Sequence, residues 1–171
     1  WILTGRAAQL RFHKCEYTRS SAATMVRQMA VKPGTLMMKK RIIVGLSGAS
    51  GVIYGIRTLI HLRAMEHVET HLVMSDTASV NVKLETPYGV DQVKALADVV
   101  HRPDNLAAAI SSGSFKTDGM IVIPCSIKSL SGIVHSYADN LLSRAADVCL
   151  KEKRKLVLVV RETPLHKGHL E

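Results

Sequence analysis

From Arg41 onward, short runs of branched apolar residues alternate with longer stretches in which apolar positions recur every three or four residues. Ile42-Ile43-Val44 predicts a first strand over 41–46. Ile53, Ile56, Leu59, Ile60 and Leu62 give the broad apolar face of a helix over 51–65. Thr70 to Met74 reads as a second strand, and Ser75-Asp76 as the N-terminal signal of a short helix. Pro87-Tyr88-Gly89 is a turn, 90–96 a weak helix, 101–105 a polar turn, 106–110 a further helical turn and 111–114 a loop. GMIVI predicts a third strand over 119–123, stopped by Pro124, and Ser126 opens another helix. Asp139-Asn140 caps a helix over 141–153 with Leu141, Leu142, Ala145, Ala146, Cys149 and Leu150 on one side. KLVLVV, 155–160, is the last strand, followed by Arg161-Glu162-Thr163-Pro164-Leu165.

Four near-continuous apolar strands alternating with helices imply an α/β fold with an open, mostly parallel, doubly wound sheet. Such sheets bind ligands beyond the carboxyl ends of their strands. The loop 47–51, Ser75, Cys125-Ser126 and Arg161-Glu162 all fall at those ends. The first of these loops, in RIIVGLSGASG, joins a strand to a helix through small residues, the geometry that offers backbone N–H groups to a phosphate. Its spacing is G-x-x-G-x-x-G, which is neither the dinucleotide fingerprint nor a P-loop.

Charge changes the picture less than its total suggests. The chain of 171 residues carries a net charge of +9, but residues 1–40 hold eight Lys/Arg against the single acid Glu16, and so account for seven of the nine. The remainder is nearly balanced, and aromatics are only 4% of the chain, so a nucleic-acid surface is not expected. No apolar run approaches the ~20 residues of a membrane span. Residues 1–40 read as a basic leader outside the fold, either a transit peptide or non-native sequence ahead of an initiator at Met37 or Met38, the second being preferred. The folded domain is then 41–171. Cys15, Cys125 and Cys149 form no close pairs, which fits a reducing compartment, and the last two read as packing residues. Glu162, His166 and His169 imitate a metal set, but Pro164 interrupts them and no metal is expected.

The segments IVGLSGASG, HLVMS, PCSIKSLSGIVHSYADNLLSRAADVCLKEKR and LVLVVRETPLHKGHLE resemble the UbiX flavin prenyltransferase family across essentially all of 41–171. The resemblance implies a flavodoxin-like or Rossmann-like three-layer sandwich. It implies a transferase that joins a dimethylallyl group from dimethylallyl phosphate to N5 and C6 of reduced FMN, without a metal. The prenyl-FMN would serve UbiD-type decarboxylases in ubiquinone biosynthesis and aromatic-acid decarboxylation. The family assembles as a dodecameric shell with sites at subunit interfaces. By the same resemblance Gly48, Ala49, Ser50, Ser75, Ser126, Ile127, Lys128, Ser129 and Arg161 match flavin-binding positions. Ser50, Glu85, Lys151 and Glu162 match positions for prenyl-phosphate binding or proton handling. Lys151 would neutralise the leaving phosphate and Glu162 would move a proton.

The family continues past the GHL segment with a helix, a strand and a Tyr and a basic residue for the prenyl phosphate. The expectation is therefore a C-terminally truncated chain with a mostly complete flavin site and little activity alone. The alternatives are an FMN-dependent cysteine decarboxylase-like flavoprotein and an inactive flavin-binding fragment. The chain is expected in the cytoplasm, or in the mitochondrion if residues 1–36 are a transit peptide.

Overall fold

The computed structural model describes residues 2–5, 11–13 and 39–169. Its strands are β1 (Ile2–Gly5), β2 (Arg11–His13), β3 (Lys40–Leu46), β4 (Val68–Met74), β5 (Val99–His101), β6 (Gly119–Cys125) and β7 (Lys155–Val160). Its helices are α1 (Val52–Arg63), α2 (Asp76–Glu85), α3 (Val90–Lys94), α4 (Ile127–Val134) and α5 (Leu141–Lys151), with 3-10 turns at Ala109–Ser111 and Lys167–His169. They form one sheet in the order β2-β1-β7-β6-β3-β4-β5, in which β7 to β5 are parallel and β1 and β2 antiparallel.

The alternation along β3 shows why the sheet is covered on both sides. Ile42, Val44 and Leu46 pack in one cluster with Val52, Ile56, Leu59 and Leu62 of α1 and Ala78 and Val82 of α2. Ile43 points the other way, into a cluster with Met120, Val122, Leu130 of α4 and Leu141, Ala145 and Cys149 of α5. Side chains in a strand alternate between faces, so both faces of a central parallel strand must be apolar. The doubly wound reading therefore holds.

Several boundaries differ from the sequence reading. The third strand runs through Pro124 to Cys125, with its register to β7 shifting between Val122 and Cys125. Proline removes one ladder donor, and the shift absorbs that loss. The predicted polar turn at 101–105 overlaps β5, a three-residue strand parallel to β4. Residues 1–40 were set outside the fold, yet β1 lies antiparallel along β7, Ile2 opposite Val159, and β2 pairs with β1. Among the described residues no helix is long and apolar enough to cross a membrane.

A polar chain crosses the β3–β4–β5 side of the sheet. Arg41 Nε donates to Glu69 Oε1 at 3.0 Å, and its guanidinium lies 4.7 Å from the Phe115 ring centre. The same Glu69 oxygen is 2.8 Å from His71 Nε2, and His71 Nδ1 is 3.0 Å from His101 Nε2. A carboxylate only accepts, so Nε2 of His71 donates to Glu69, and in the neutral ring Nδ1 accepts from His101. The bond from His71, then those and the charge from Arg41, hold the Glu69 carboxyl below its ordinary range despite some desolvation. Burial, then the charge of His71, lowers His101. Asp98 is held down chiefly by the Thr70 backbone N–H.

All three shifts make acid destabilising. Below the ordinary histidine value of 6.5, the unfolded His101 takes up a proton that the folded one resists. Below 4.5 the same applies to Glu69, and below 3.8 to Asp98. The unfolding temperature is expected to decline as pH falls below 6.5 and to drop again below 4.5, with His101→Gln removing the first decline. An unchanged unfolding temperature between pH 7 and pH 5, measured by thermal denaturation, would contradict this.

Candidate functional site at the carboxyl edge of the sheet

The parallel register brings the ends of β3, β4, β6 and β7 to one edge, and with them four loops distant in sequence. Ser47 joins two of these loops. It is 1% exposed, its Oγ donates to the Pro124 carbonyl at 2.9 Å, and the same oxygen accepts from Ser126 N–H at 2.7 Å. The Ser47 N–H also reaches the Pro124 carbonyl, at 3.2 Å.

The rest of the loop needs its small residues. A Cβ on Gly48 would sit 2.5 Å from the Cβ of Thr77, so that position must stay bare for α2 to approach. Gly51, the N-cap of α1, has φ +92°, in the left-handed region. Asn81 Nδ2 donates to the Ala49 carbonyl at 3.0 Å, and Gly51 N–H donates to Glu85 Oε2 at 2.8 Å. Thr77, Asn81 and Glu85 are spaced four apart, so one face of α2 underlies the whole loop.

Beside this loop lies a cavity of about 760 Å³. Three helix N-termini border it, those of α2, α4 and α5. Their caps are Ser75, whose Oγ accepts from Ala78 N–H, Ser126, which accepts from Ser129 N–H, and Asn140, which accepts from Ser143 N–H. The positive ends of three helix dipoles therefore meet at one cavity, with Lys128, against the carboxylates of Asp76, Asp104 and Asp139 in the same lining. His135, Tyr137, Pro103 and Asp104 form the remaining walls, and Lys128 Nζ sits 3.8 Å from Asp139 Oδ2 at the rim.

Of the residues singled out from the sequence, Gly48, Ser75, Ser126, Lys128 and Ser129 line this cavity together. Ala49 is buried with its carbonyl turned to α2, Ser50 is exposed on the same loop, and Ile127 packs against the core. Arg161 is exposed just past β7, its N–H donating to the Cys125 carbonyl. Glu162 is half-buried and accepts from the Thr163 N–H at 3.0 Å, and Glu85 is engaged with Gly51. Lys151 is not brought to the cavity. It ends α5, whose other end lines the cavity, about 15 Å away along the axis. The chain then enters β7 at Lys155 opposite Gly119, at the amino edge of the sheet. Sequence reasoning missed Thr77, Asn81 and Tyr137, and read Asn140 as a helix cap without placing it at the cavity. The polar positions of α2 at fourfold spacing were the available signal for the first two.

The two described cysteines are fully buried, an environment that disfavours the thiolate. Burial pushes the Cys125 thiol up to about 12. Burial likewise raises Cys149 to about 11, against smaller opposing effects of Arg154 and Thr117. Among the described residues no group of three His, Cys, Asp or Glu side chains is arranged to hold a metal.

Comparison with known proteins agrees with this geometry. A family model described as Flavoprotein matches residues 31–170. The flavin prenyltransferase UbiX of Escherichia coli K12 is 64% identical over 131 residues, covering 77% of this chain and 69% of that protein. The chain belongs to the UbiX flavin prenyltransferase family. The crystal structure of a UbiX (AnUbiX, PadA1) in complex with FMN and dimethylallyl pyrophosphate matches with a TM-score of 0.76 at 55% identity, over 77% of this chain and 70% of that one. A dodecameric FMN-dependent UbiX-like decarboxylase from Escherichia coli O157:H7 matches with a TM-score of 0.75 at 60% identity, over 76% of this chain and 70% of that one. The five parallel strands and their helices are thus the fold of this family, flavodoxin-like with three layers.

Two outcomes follow from the geometry. Ser47→Ala orphans the Ser126 N–H, while the Pro124 carbonyl keeps its bond from the Ser47 backbone. The loss is expected at about 1–3 kcal/mol in urea unfolding, with Ser47→Thr, which keeps the hydroxyl, losing less. At pH 8 the folded chain is expected to show no fast thiol reaction with a disulfide reagent at Cys125 or Cys149, leaving Cys15, outside the described residues, as the only other thiol. Two fast-reacting thiols per chain would contradict the burial.

Proposed function

We propose that the cavity at the carboxyl edge is the flavin site of a flavin prenyltransferase, and that the chain takes reduced FMN and dimethylallyl phosphate as substrates. The carrying observation is the meeting of three helix N-termini with the small-residue loop 47–51 around one cavity. A volume of about 760 Å³ suits a flavin-sized ligand. The bare Gly48 leaves backbone exposed toward the cavity, as close approach of a phosphate requires. FMN held here would supply N5 and C6: the N5–C bond would form as the donor C–O bond breaks, with phosphate and the N5 proton leaving, and the C6–C bond would form at the expense of the dimethylallyl double bond, which takes up one proton while C6 gives one up.

On this reading the chain's own residues have divided tasks. Gly48, Ala49, Ser50 and Ser75 hold the flavin's phosphate side, Ser126, Ile127, Lys128 and Ser129 its other flank, and Arg161 closes the site from β7. Glu162 beside it handles a proton released as the flavin is alkylated. Glu85, fixed on the Gly51 N–H, carries negative charge to the start of α1 and can serve Ser50 nearby. Lys151, at the opposite edge of its own sheet, would act on the phosphate of a neighbouring subunit's site. A homo-oligomer with sites at its interfaces accommodates that placement. We take residues 41–171 as the flavin domain, to whose sheet β1 and β2 of the preceding segment add two antiparallel strands, the cytoplasm as the compartment, and UbiD-type decarboxylases as users of the product.

The cysteine decarboxylase-like reading has less support. The prenyltransferase relative shares 64% identity with the chain. Incubation with reduced FMN and dimethylallyl phosphate, followed by mass spectrometry of the released flavin, tests the proposal. A flavin heavier by one C5H8 unit is expected. Bound FMN of unchanged mass would replace this reading with that of a flavin-binding fragment, and oxidation of a cysteine substrate with that of a cysteine decarboxylase.

A further inference from the structure

We infer that Asn81 is a positioning residue for the flavin phosphate, acting through the peptide between Ala49 and Ser50; this rests on the flavin reading above. Three backbone N–H groups of the loop are used within the protein: Ser47 on the Pro124 carbonyl, Ala49 on the Ser47 carbonyl and Gly51 on Glu85. The alternate N–H groups, of Gly48 and Ser50, have no acceptor among the described residues. The loop therefore leaves every second donor unused by the described residues, Gly48 at the cavity and Ser50 exposed beside it. The direction of the Ser50 N–H is set by the Ala49 carbonyl, which accepts from Asn81 Nδ2 at 3.0 Å. A trans peptide is planar, with its C=O and N–H pointing in opposite directions. Drawing the Ala49 carbonyl toward α2 therefore turns the Ser50 N–H away from α2.

The helix is able to impose this direction because it is itself anchored. Ala78 and Val82 are fully buried against the sheet, and Thr77 fills the space over Gly48. Asn81 lies between Thr77 and Glu85 on the same face, with its amide donor at the middle of the loop. An aspartate there would keep the shape but place an acceptor against the carbonyl, freeing the peptide to rotate.

The ligand whose affinity this controls is one with a terminal phosphate. The test titrates the full chain, Asn81→Asp and Asn81→Ala with FMN and, separately, with riboflavin, which lacks the phosphate, following flavin fluorescence. Asn81→Asp is expected to bind FMN about five- to tenfold more weakly, the size of one hydrogen bond, while riboflavin affinity changes less than about twofold. Asn81→Ala should follow the same pattern. Val82→Ala thins the core under α2 and serves as the control. It should lower the unfolding temperature yet leave the ratio of FMN to riboflavin affinity as in the wild type. Equal FMN affinity for wild type and Asn81→Asp, or parallel loss of both flavins, would overturn the role of Asn81 alone. A wild-type chain that takes up no FMN would overturn the flavin reading and this inference with it.

Discussion

The hydroxyl of Ser47 joins two loops whose bonded residues are 79 positions apart in sequence. It is buried, and it both donates and accepts, so neither loop can shift without leaving a polar group unpaired. Parallel strands bring loops to the same edge but leave their spacing free within the flexibility of each turn. The Ser47 bridge removes that freedom between the β3–α1 and β6–α4 loops. The cap of α4, Ser126, is thereby set relative to Gly48, and the two sides of the cavity acquire a fixed separation. A site that binds a rigid ring system depends on such a separation being built in before the ligand arrives.

The sheet was legible because its chemistry is repetitive. Along β3 from Ile42 and along β7 from Leu156 no position is polar, and only a strand covered on both faces asks for that. Ser75 and Asn140 announced their helices because a cap needs a short side chain with an acceptor, and both caps are present. What escaped was β5, with three residues whose side chains are largely outside the core, so that no burial pattern marks it. Pro124 misled for the opposite reason. The rule that proline ends a central strand concerns its missing donor, and here the strand goes on past it because the ladder shifts.

The candidate site was legible where one residue does one thing. Serines just past strand ends mark helix caps, and Ser75 and Ser126 do cap their helices and meet at the cavity. The fourfold spacing of Thr77 and Asn81 marks a polar face of α2 but not what it meets, because a polar residue on a helix has the same appearance whether it meets water or a loop. Their contacts exist only once α2 is laid beside the β3–α1 turn, a relation between two elements that neither segment records. Lys151 is a different case. Its residue type suits a phosphate, and its place in its own chain does not. A residue can satisfy a chemical pattern and still be held at the wrong edge of its sheet, and assembly with other copies, as in the dodecameric relative, would reconcile the two on our reading.

The loop's failure to match either phosphate fingerprint then has a physical meaning. A dinucleotide needs the chain to run close along two phosphates, and a triphosphate needs a lysine and a metal-binding hydroxyl within the loop itself. Here the loop spends the N–H groups of Ser47, Ala49 and Gly51 on its own protein and keeps those of Gly48 and Ser50. Two donors left without a protein acceptor suit a single phosphate. The further positive potential comes from the starts of α2, α4 and α5, spread around the cavity instead of concentrated in one loop. Distributed in this way, the field leaves room for an uncharged ring system between the loop and α5, which suits a mononucleotide flavin better than a chain of phosphates.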